Sequence, residues 1–525
     1  MPKVLIADKL SPAAVAIFKE RGVEADVKTG LSKDELLKIV DQYDGIAIRS
    51  ATKVTAEVIK VAKNLKVVGR AGIGVDNVDI PAATAAGVIV MNTPFGNSIT
   101  TAEHAISLML ALARELPAAN ASTQAGKWEK NRFMGVEITG KVLGLIGAGN
   151  IGSIVADRAR GLKMRVIAYD PYLSQERAQD LDVEKVELAD LLARADFITL
   201  HVPLTAETKN ILSADAINKT KKGVRIINCA RGGLIDEAAL KVALDSGHVA
   251  GAALDVFEEE PAKSNILFGN EKVIATPHLG ASTSEAQENV ALQVAEQISD
   301  YLLTGAITNA LNMPAITAAE AQKVRPWISL AEKLGSFCGQ VTETSILGVE
   351  ILYEGIAAEL NQRALTQAVL AGLLKPTLSG VNMVNAPVVA KERGIVITES
   401  RRPRQGIYEG FIRVAVDLGG TKRRVAGTVF SAGQPRFIQI KDINLEAEFA
   451  PNMLYVVNED KPGFIGRLGT LLGDAKVNIA NFNLGRGELG GESICLVEVD
   501  GPVDEKVLAE IRRIPHVRHA KAIAF

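Results

Sequence analysis

The sequence predicts an α/β protein: two doubly wound lobes with mostly parallel sheets, then an α+β domain, then a small β-α-β-β-α-β domain. Three observations predict it. Short apolar runs recur with helical stretches between them, and right-handed βαβ units of that kind build parallel sheets covered by helices on both faces. Aromatics make up only 4% of the 525 residues while Gly reaches 46, so Ala, Val, Ile and Leu carry the apolar content, as strands buried on both faces require. After Asn312-Met313-Pro314 the alternation gives way to turn-rich, more β-like sequence. The length itself implies three to four domains at about 150 residues each.

Taken in order, Val4 to Ala7, Ile46 to Ile48, Val67 to Val68 and Val88 to Met91 read as strands of a first lobe, residues 1–95. Thr100 to Leu116 is rich in Ala and Leu and predicts a buried linking helix stopped by Pro117. A second series of six strands follows: Val142 to Ile146, Val166 to Tyr169, Phe197 to Val202, Val224 to Asn228, Ala250 to Leu254 and Val273 to Ala275. Six is the number of a doubly wound, Rossmann-like sheet, assigned to residues 96–283. A long helix near Ser284 to Leu303 is expected to return to the first lobe, which is then discontinuous, 1–95 plus 284–312. Residues 313–450 form the α+β domain, with a helix from Gly355 to Leu373 and β-like sequence from Phe411 to Phe430. In the last piece, 453–525, the runs Leu454 to Val457, Val477 to Ile479, Ile494 to Val499 and Lys521 to Phe525 are separated by helical stretches 465–474 and 503–513, a ferredoxin-like order.

Charge narrows the function classes. Lys and Arg number 59 against 61 Asp and Glu, a net charge of -2, which gives no general drive toward nucleic acid or an anionic membrane. Cys229, Cys338 and Cys495 match no metal or disulfide spacing and read as buried small hydrophobes; no metal is expected. No run approaches the roughly 20 apolar residues of a membrane helix, and Val4 to Ala7 is too short for a signal sequence, so a cytoplasmic location is expected.

Gly147-Ala148-Gly149-Asn150-Ile151-Gly152 stands directly after a strand and opens a helix. Its first glycine permits a tight turn, its second lets backbone approach a pyrophosphate, and its third lets helix and strand pack closely, with free N–H groups at the helix start facing the phosphates. Asp170, at the end of the next strand, suits the adenosine ribose and repels a 2′-phosphate. The following Pro171-Tyr172-Leu173-Ser174-Gln175 offers no arginine to hold one, so NAD is preferred over NADP.

Arg231, Glu260 and His278 each lie just past the carboxyl end of a later strand, where open α/β sheets bind ligands. Each alone has a bland reading as a turn, solvated or structural residue. Together they suit hydride transfer to or from a 2-hydroxy acid. Arginine grips a carboxylate with two parallel N–H bonds, histidine exchanges the hydroxyl proton, and a glutamate on the other ring nitrogen fixes the tautomer.

Several stretches then resemble the D-isomer-specific 2-hydroxyacid dehydrogenase family over nearly the whole chain. They are Arg49 to Val54, Gly69 to Asn77, Asn92-Thr93-Pro94, the glycine run, Ala230 to Gly233, Ala253 to Phe257 with Glu260-Pro261, and Pro277 to Thr283. The resemblance implies that Arg231 binds the substrate carboxylate, that Glu260 and His278 form the acid/base pair, and that Asp170, Ala230 and Asp255 border the cofactor. It also implies Arg49 and Arg70 as cations for a substrate phosphate. The implied reaction is NAD-dependent oxidation of D-3-phosphoglycerate to 3-phosphohydroxypyruvate, the entry step to serine, by a homo-oligomer, a dimer or tetramer. The last domain resembles an ACT module through Asn458 to Gly463 and Lys476 to Ile479, which implies pairing between subunits and binding of L-serine by Asn458, Asp460 and Asn478. Two other readings share these residues: a glyoxylate or hydroxypyruvate reductase, which needs no phosphate site, and a non-catalytic NAD and amino-acid sensor, which forms no NADH.

Overall fold

The computed structural model describes residues 1–431 and 433–525. Its first sheet is five-stranded and parallel, in the order Glu24–Val27, Lys3–Ile6, Gly45–Ile48, Val67–Arg70, Ile89–Asn92. Four of these are the apolar runs of the sequence. Glu24–Val27 escapes hydrophobic patterning because it is an edge strand, with two of its four residues exposed. Helix Ser284–Thr304 lies on this sheet, and its Val290, Ala291, Val294 and Ile298 share a core with Val4, Ile6, Val67 and Met91. At Gly69 a Cβ would come within 2.5 Å of Ile298, so the glycine sets how closely the helix approaches.

The second sheet is also parallel: Val273–Ala275, Val249–Leu254, Val224–Asn228, Phe197–Leu200, Val142–Ile146, Arg165–Tyr169, Glu184–Lys185. Strand order reverses at Val142–Ile146, so the crevice beyond its carboxyl end lies at the switch point. The sheet has seven strands where the sequence predicts six. The added Glu184–Lys185 is a two-residue, fully exposed edge strand with no apolar signal.

Between the lobes the expected helix Thr100 to Leu116 is corrected. It runs Ser98–Ala113, and a break at Glu115, with φ of 53°, starts a second helix at Leu116–Gln124. Pro117 sits in the first turn of that second helix, where its missing N–H costs nothing, so it opens a helix rather than closing one.

The third sheet is mixed: Val396–Arg402, Gly348–Gly355, Gly410–Asp417, Lys422–Val429, Pro435–Ile440, Ile443–Glu448. Helices Ala318–Val341 and Gln362–Leu374 pack together in its core. A Cβ on Gly372 would lie 1.9 Å from the Glu332 carbonyl oxygen, and one on Gly335 would lie 2.1 Å from that of Val369. The two backbones therefore meet only because glycines face each other.

The last sheet is antiparallel, Ile479–Arg486, Glu492–Val499, Met453–Glu459, Val517–Ile523, with helices Phe464–Asp474 and Glu505–Arg512. Its second strand begins where the predicted run Val477 to Ile479 ends, because Asn481 and Asn483 dilute the apolar pattern beyond it. Cys229, Cys338 and Cys495 are all buried, and no helix among the described residues is long and apolar enough to cross a membrane.

Candidate active site

The glycine turn fits a dinucleotide. Gly147 has φ of 95°, and a Cβ there would meet the His201 carbonyl oxygen at 2.6 Å; a Cβ on Gly152 would meet the Gly147 carbonyl oxygen at 2.1 Å. Gly149, by contrast, opens onto free space. Helix Asn150–Gly161 begins there with no side-chain cap and no acid in its first turn, so its N–H groups remain free for an anion at Asn150 and Ile151. Asp170 Oδ2 accepts the Ala148 N–H at 2.9 Å and Oδ1 accepts that of Tyr172 at 2.8 Å, which braces the turn and leaves lone pairs for ribose hydroxyls. His201 abuts the turn through its backbone. Its imidazole bonds Thr199 Oγ1 at 2.9 Å, and burial drives its pKa down to about 3.

Three strand ends of the second sheet supply the polar groups. After Val224–Asn228, the Asn228 side chain accepts the Ala230 N–H at 3.0 Å and donates to the Arg231 carbonyl at 2.8 Å, closing the turn that carries Arg231. A Cβ on Gly232 would fall 1.8 Å from the Phe257 carbonyl oxygen, so this turn packs directly on the segment leading to Glu260. Glu260 Oε1 accepts the Phe257 N–H at 3.1 Å, and Oε2 lies 2.7 Å from His278 Nδ1.

Asp255, fully buried, holds the loop that carries His278. Its carboxylate accepts the Thr276 hydroxyl at 2.6 Å and the N–H groups of Leu279 and Gly280 at 2.7 and 2.8 Å, while its carbonyl accepts the His278 N–H at 2.9 Å. This net holds His278 at φ of 56°. Burial would raise the Asp255 carboxyl pKa, but bonds from His104 and Thr276 outweigh it and hold it below the usual range. His104, which reads in sequence as a packing residue, has its Nε2 3.2 Å from Asp255 Oδ1.

The electrostatics join the three residues. The hydrogen bond that His278 donates to Glu260 raises the His278 pKa against the lowering effect of burial. Burial would raise Glu260, but the bond to His278 prevails and its carboxyl is held low. The Arg231 charge acts on both partners, so guanidinium, imidazole and carboxylate share one field.

The first lobe contributes arginines. Asp8 accepts the Arg49 N–H at 2.6 Å and the Thr52 hydroxyl at 2.6 Å, and Asn77 donates to the Arg49 carbonyl at 2.6 Å, so the loop bearing Arg49 is pinned from both sides. Arg70 donates to the Ala71 carbonyl at 3.2 Å while its Nε is buried without a partner. Burial, then the like charges of Arg231 and Arg49, lower its pKa to about 10. Arg70 thus feels the positive charge of both Arg231 and Arg49, a local excess that suits anionic groups. Asp76, which sequence reasoning did not single out, also reaches this region: its Oδ2 accepts from Arg231 Nε at 2.9 Å. The signal was present in the lone acid of an otherwise small and apolar run after Arg70.

The residues expected to bind an effector, Asn458, Asp460 and Asn478, are not brought together within one chain. Asn458 is 2% exposed, donates to the Glu459 carbonyl at 2.8 Å and has a buried Oδ1 without a partner. Asp460 accepts from Arg486 at 3.4 Å and from the Gly490 N–H at 3.3 Å. Asn458 pairs with Ser493, whereas Asn478 is exposed and bonds Asp500 at 2.8 Å. Seven residues of strand separate those two places, about 20 Å at the usual rise.

Comparison with known proteins decides the family. The D-isomer specific 2-hydroxyacid dehydrogenase NAD binding domain matches residues 106–280, the D-3-phosphoglycerate dehydrogenase intervening domain matches 323–441, and the ACT domain matches 452–516. D-3-phosphoglycerate dehydrogenases of Methanocaldococcus jannaschii and Bacillus subtilis are 44% and 43% identical, over 100% of this chain and 100% and 99% of theirs. This chain belongs to the D-3-phosphoglycerate dehydrogenase family of D-isomer specific 2-hydroxyacid dehydrogenases. It is an oxidoreductase, and its cofactor is NAD. Among solved structures, a glyoxylate reductase from Paecilomyes thermophila is 30% identical with a TM-score of 0.55, covering 59% of this chain and 98% of its own. A D-2-hydroxyisocaproate dehydrogenase is 28% identical with a TM-score of 0.54, covering 59% and 99%.

Proposed function

We propose that the chain oxidises D-3-phosphoglycerate to 3-phosphohydroxypyruvate, the step that opens L-serine synthesis. The observation that carries this reading is the 2.7 Å Glu260–His278 pair within the field of Arg231, together with Arg70, on which the like charges of Arg231 and Arg49 act. A substrate with a carboxylate at one end and a phosphate at the other answers that charge. Arg231 grips the carboxylate and orients carbon 2. Arg49 and Arg70 take the phosphate. Neutral His278, whose Nδ1 is held by Glu260, takes the hydroxyl proton at Nε2, and the carboxylate of Glu260 stabilises the imidazolium that results. Gly147, Gly149, Asn150, Ile151 and Gly152 would hold NAD+, with Asp170 at its ribose and Ala230 and Asp255 beside it, and the bound cofactor would supply the acceptor for the hydride from carbon 2.

The proposed units are a substrate lobe at 1–95 plus 284–312, an NAD lobe at 96–283, an intervening domain at 313–450 and an ACT domain at 453–525, working in the cytoplasm as a homo-oligomer. Serine sensing by Asn458, Asp460 and Asn478 then requires two copies, since Asn478 lies at the opposite end of its own sheet from the other two. The test is a steady-state assay with D-3-phosphoglycerate and NAD+, with and without L-serine. NADH formation that L-serine lowers supports both parts; no NADH formation with D-3-phosphoglycerate refutes the first.

A further inference from the structure

We propose that Asp76 is a positioning residue that aims the Arg231 guanidinium across the cleft at the substrate carboxylate. This rests on the reading of Arg231 as the carboxylate-binding group. Asp76 follows strand Val67–Arg70 of the first sheet, and Arg231 follows strand Val224–Asn228 of the second, 155 residues away. Their 2.9 Å bond therefore runs from one lobe to the other.

The guanidinium has five N–H donors in a rigid plane, and the protein engages two of its three nitrogens. Nε gives its hydrogen to Asp76, and Nη1 gives one to the Ala230 carbonyl at 2.7 Å. Nη2 lies against Gly74, where a Cβ would fall only 1.7 Å away, so the missing side chain makes the room it occupies. Among the described residues Nη2 has no protein acceptor and Nη1 gives only one of its two hydrogens, so the Nη1–Nη2 end of the fork keeps donors for two carboxylate oxygens. Without Asp76 the Nε bond is lost, and the side chain regains freedom to turn that edge away.

Charge supports the same role. Arg231 and Arg49 both repel Arg70, and the acids acting on Arg70 are Asp76 and Asp8. Asp8 is buried and committed to the Arg49 and Thr52 backbone, whereas Asp76 faces the arginines from the first lobe with 73% of its side chain exposed. An ion pair so solvated adds little to stability, which separates a positioning role from a structural one.

The experiment compares Asp76→Ala and Asp76→Asn in the full-length enzyme, alone and combined with Arg231→Ala. In Asp76→Ala the KM for D-3-phosphoglycerate should rise and kcat/KM fall by about tenfold, in line with the cost of a misplaced orienting group. KM for NAD+ and the thermal midpoint should stay unchanged. Asp76→Asn, whose amide oxygen still accepts from Nε, should recover most of the loss. In the Arg231→Ala background the Asp76 change should have little further effect. Wild-type KM and kcat/KM in Asp76→Ala, an equal loss in both backgrounds, or a loss confined to NAD+ would each overturn the proposal. A wild-type enzyme inactive on D-3-phosphoglycerate but active on another 2-hydroxy acid would overturn the substrate assignment instead, and the same comparison is then made with that acid.

Discussion

His278 Nδ1 lies 2.7 Å from Glu260 Oε2, and that bond governs both groups: the imidazole is pushed up and the carboxyl is held down. Because the raised pKa favours imidazolium, neutral His278 becomes available only as pH climbs past a break above the ordinary value of about 6.5. In the oxidising direction kcat/KM should rise with pH through that break, and in the reducing direction it should fall. Glu260→Gln removes the negative charge, so the break should move to lower pH. Profiles of kcat/KM against pH for the two enzymes read this directly, and a break that stays in place takes Glu260 out of its role.

Arg231→Ala should lower kcat/KM by about a hundredfold, the scale on which loss of substrate orientation acts. NAD+ binding, followed by quenching of protein fluorescence, should persist, since the glycine turn is untouched. Unchanged kcat/KM would refute the carboxylate assignment.

Arg49→Ala separates the phosphate site from the rest. Activity on D-3-phosphoglycerate should fall more than activity on an unphosphorylated 2-hydroxy acid. Equal losses on both would favour a reductase of glyoxylate or hydroxypyruvate.

Gly372→Ala puts a methyl group 1.9 Å from the Glu332 carbonyl oxygen, between two helices that cannot both stay where they are. Overpacking of this kind costs about 1–3 kcal/mol, more where backbone must move. Thermal unfolding should show a lowered midpoint, while Gly469→Ala, which meets nothing within 4 Å, should leave it nearly unchanged.

Asp460→Ala and Asn478→Ala should each abolish L-serine binding in homogeneous oligomers. Co-expressed, the two variants should regain part of it, because one subunit then supplies an intact Asp460 and its neighbour an intact Asn478. Calorimetric titration of the mixed oligomer checks this; no recovery would place the serine site elsewhere.

Much was legible from local pattern. The turn at Gly147 to Gly152 shows in sequence because a positive φ and close backbone contacts admit only glycine, and the central strands show because both their faces are buried. The cleft residues Arg231, Glu260 and His278 were legible through topology, since all follow carboxyl ends of parallel strands. Edge strands Glu24–Val27 and Glu184–Lys185 were not, because an exposed strand draws its pairing from a neighbour and needs no apolar side chains. Pro117 reads as a stop in the sequence because proline is equally at home just past one helix and at the start of another. Only the assembled lobes decide that Asp76 meets Arg231, and only the strand register of the last sheet decides that Asn478 stands apart from Asn458. The physical reason is that patterning along the chain records burial and backbone conformation, whereas a contact across 155 residues depends on where two separate sheets come to rest.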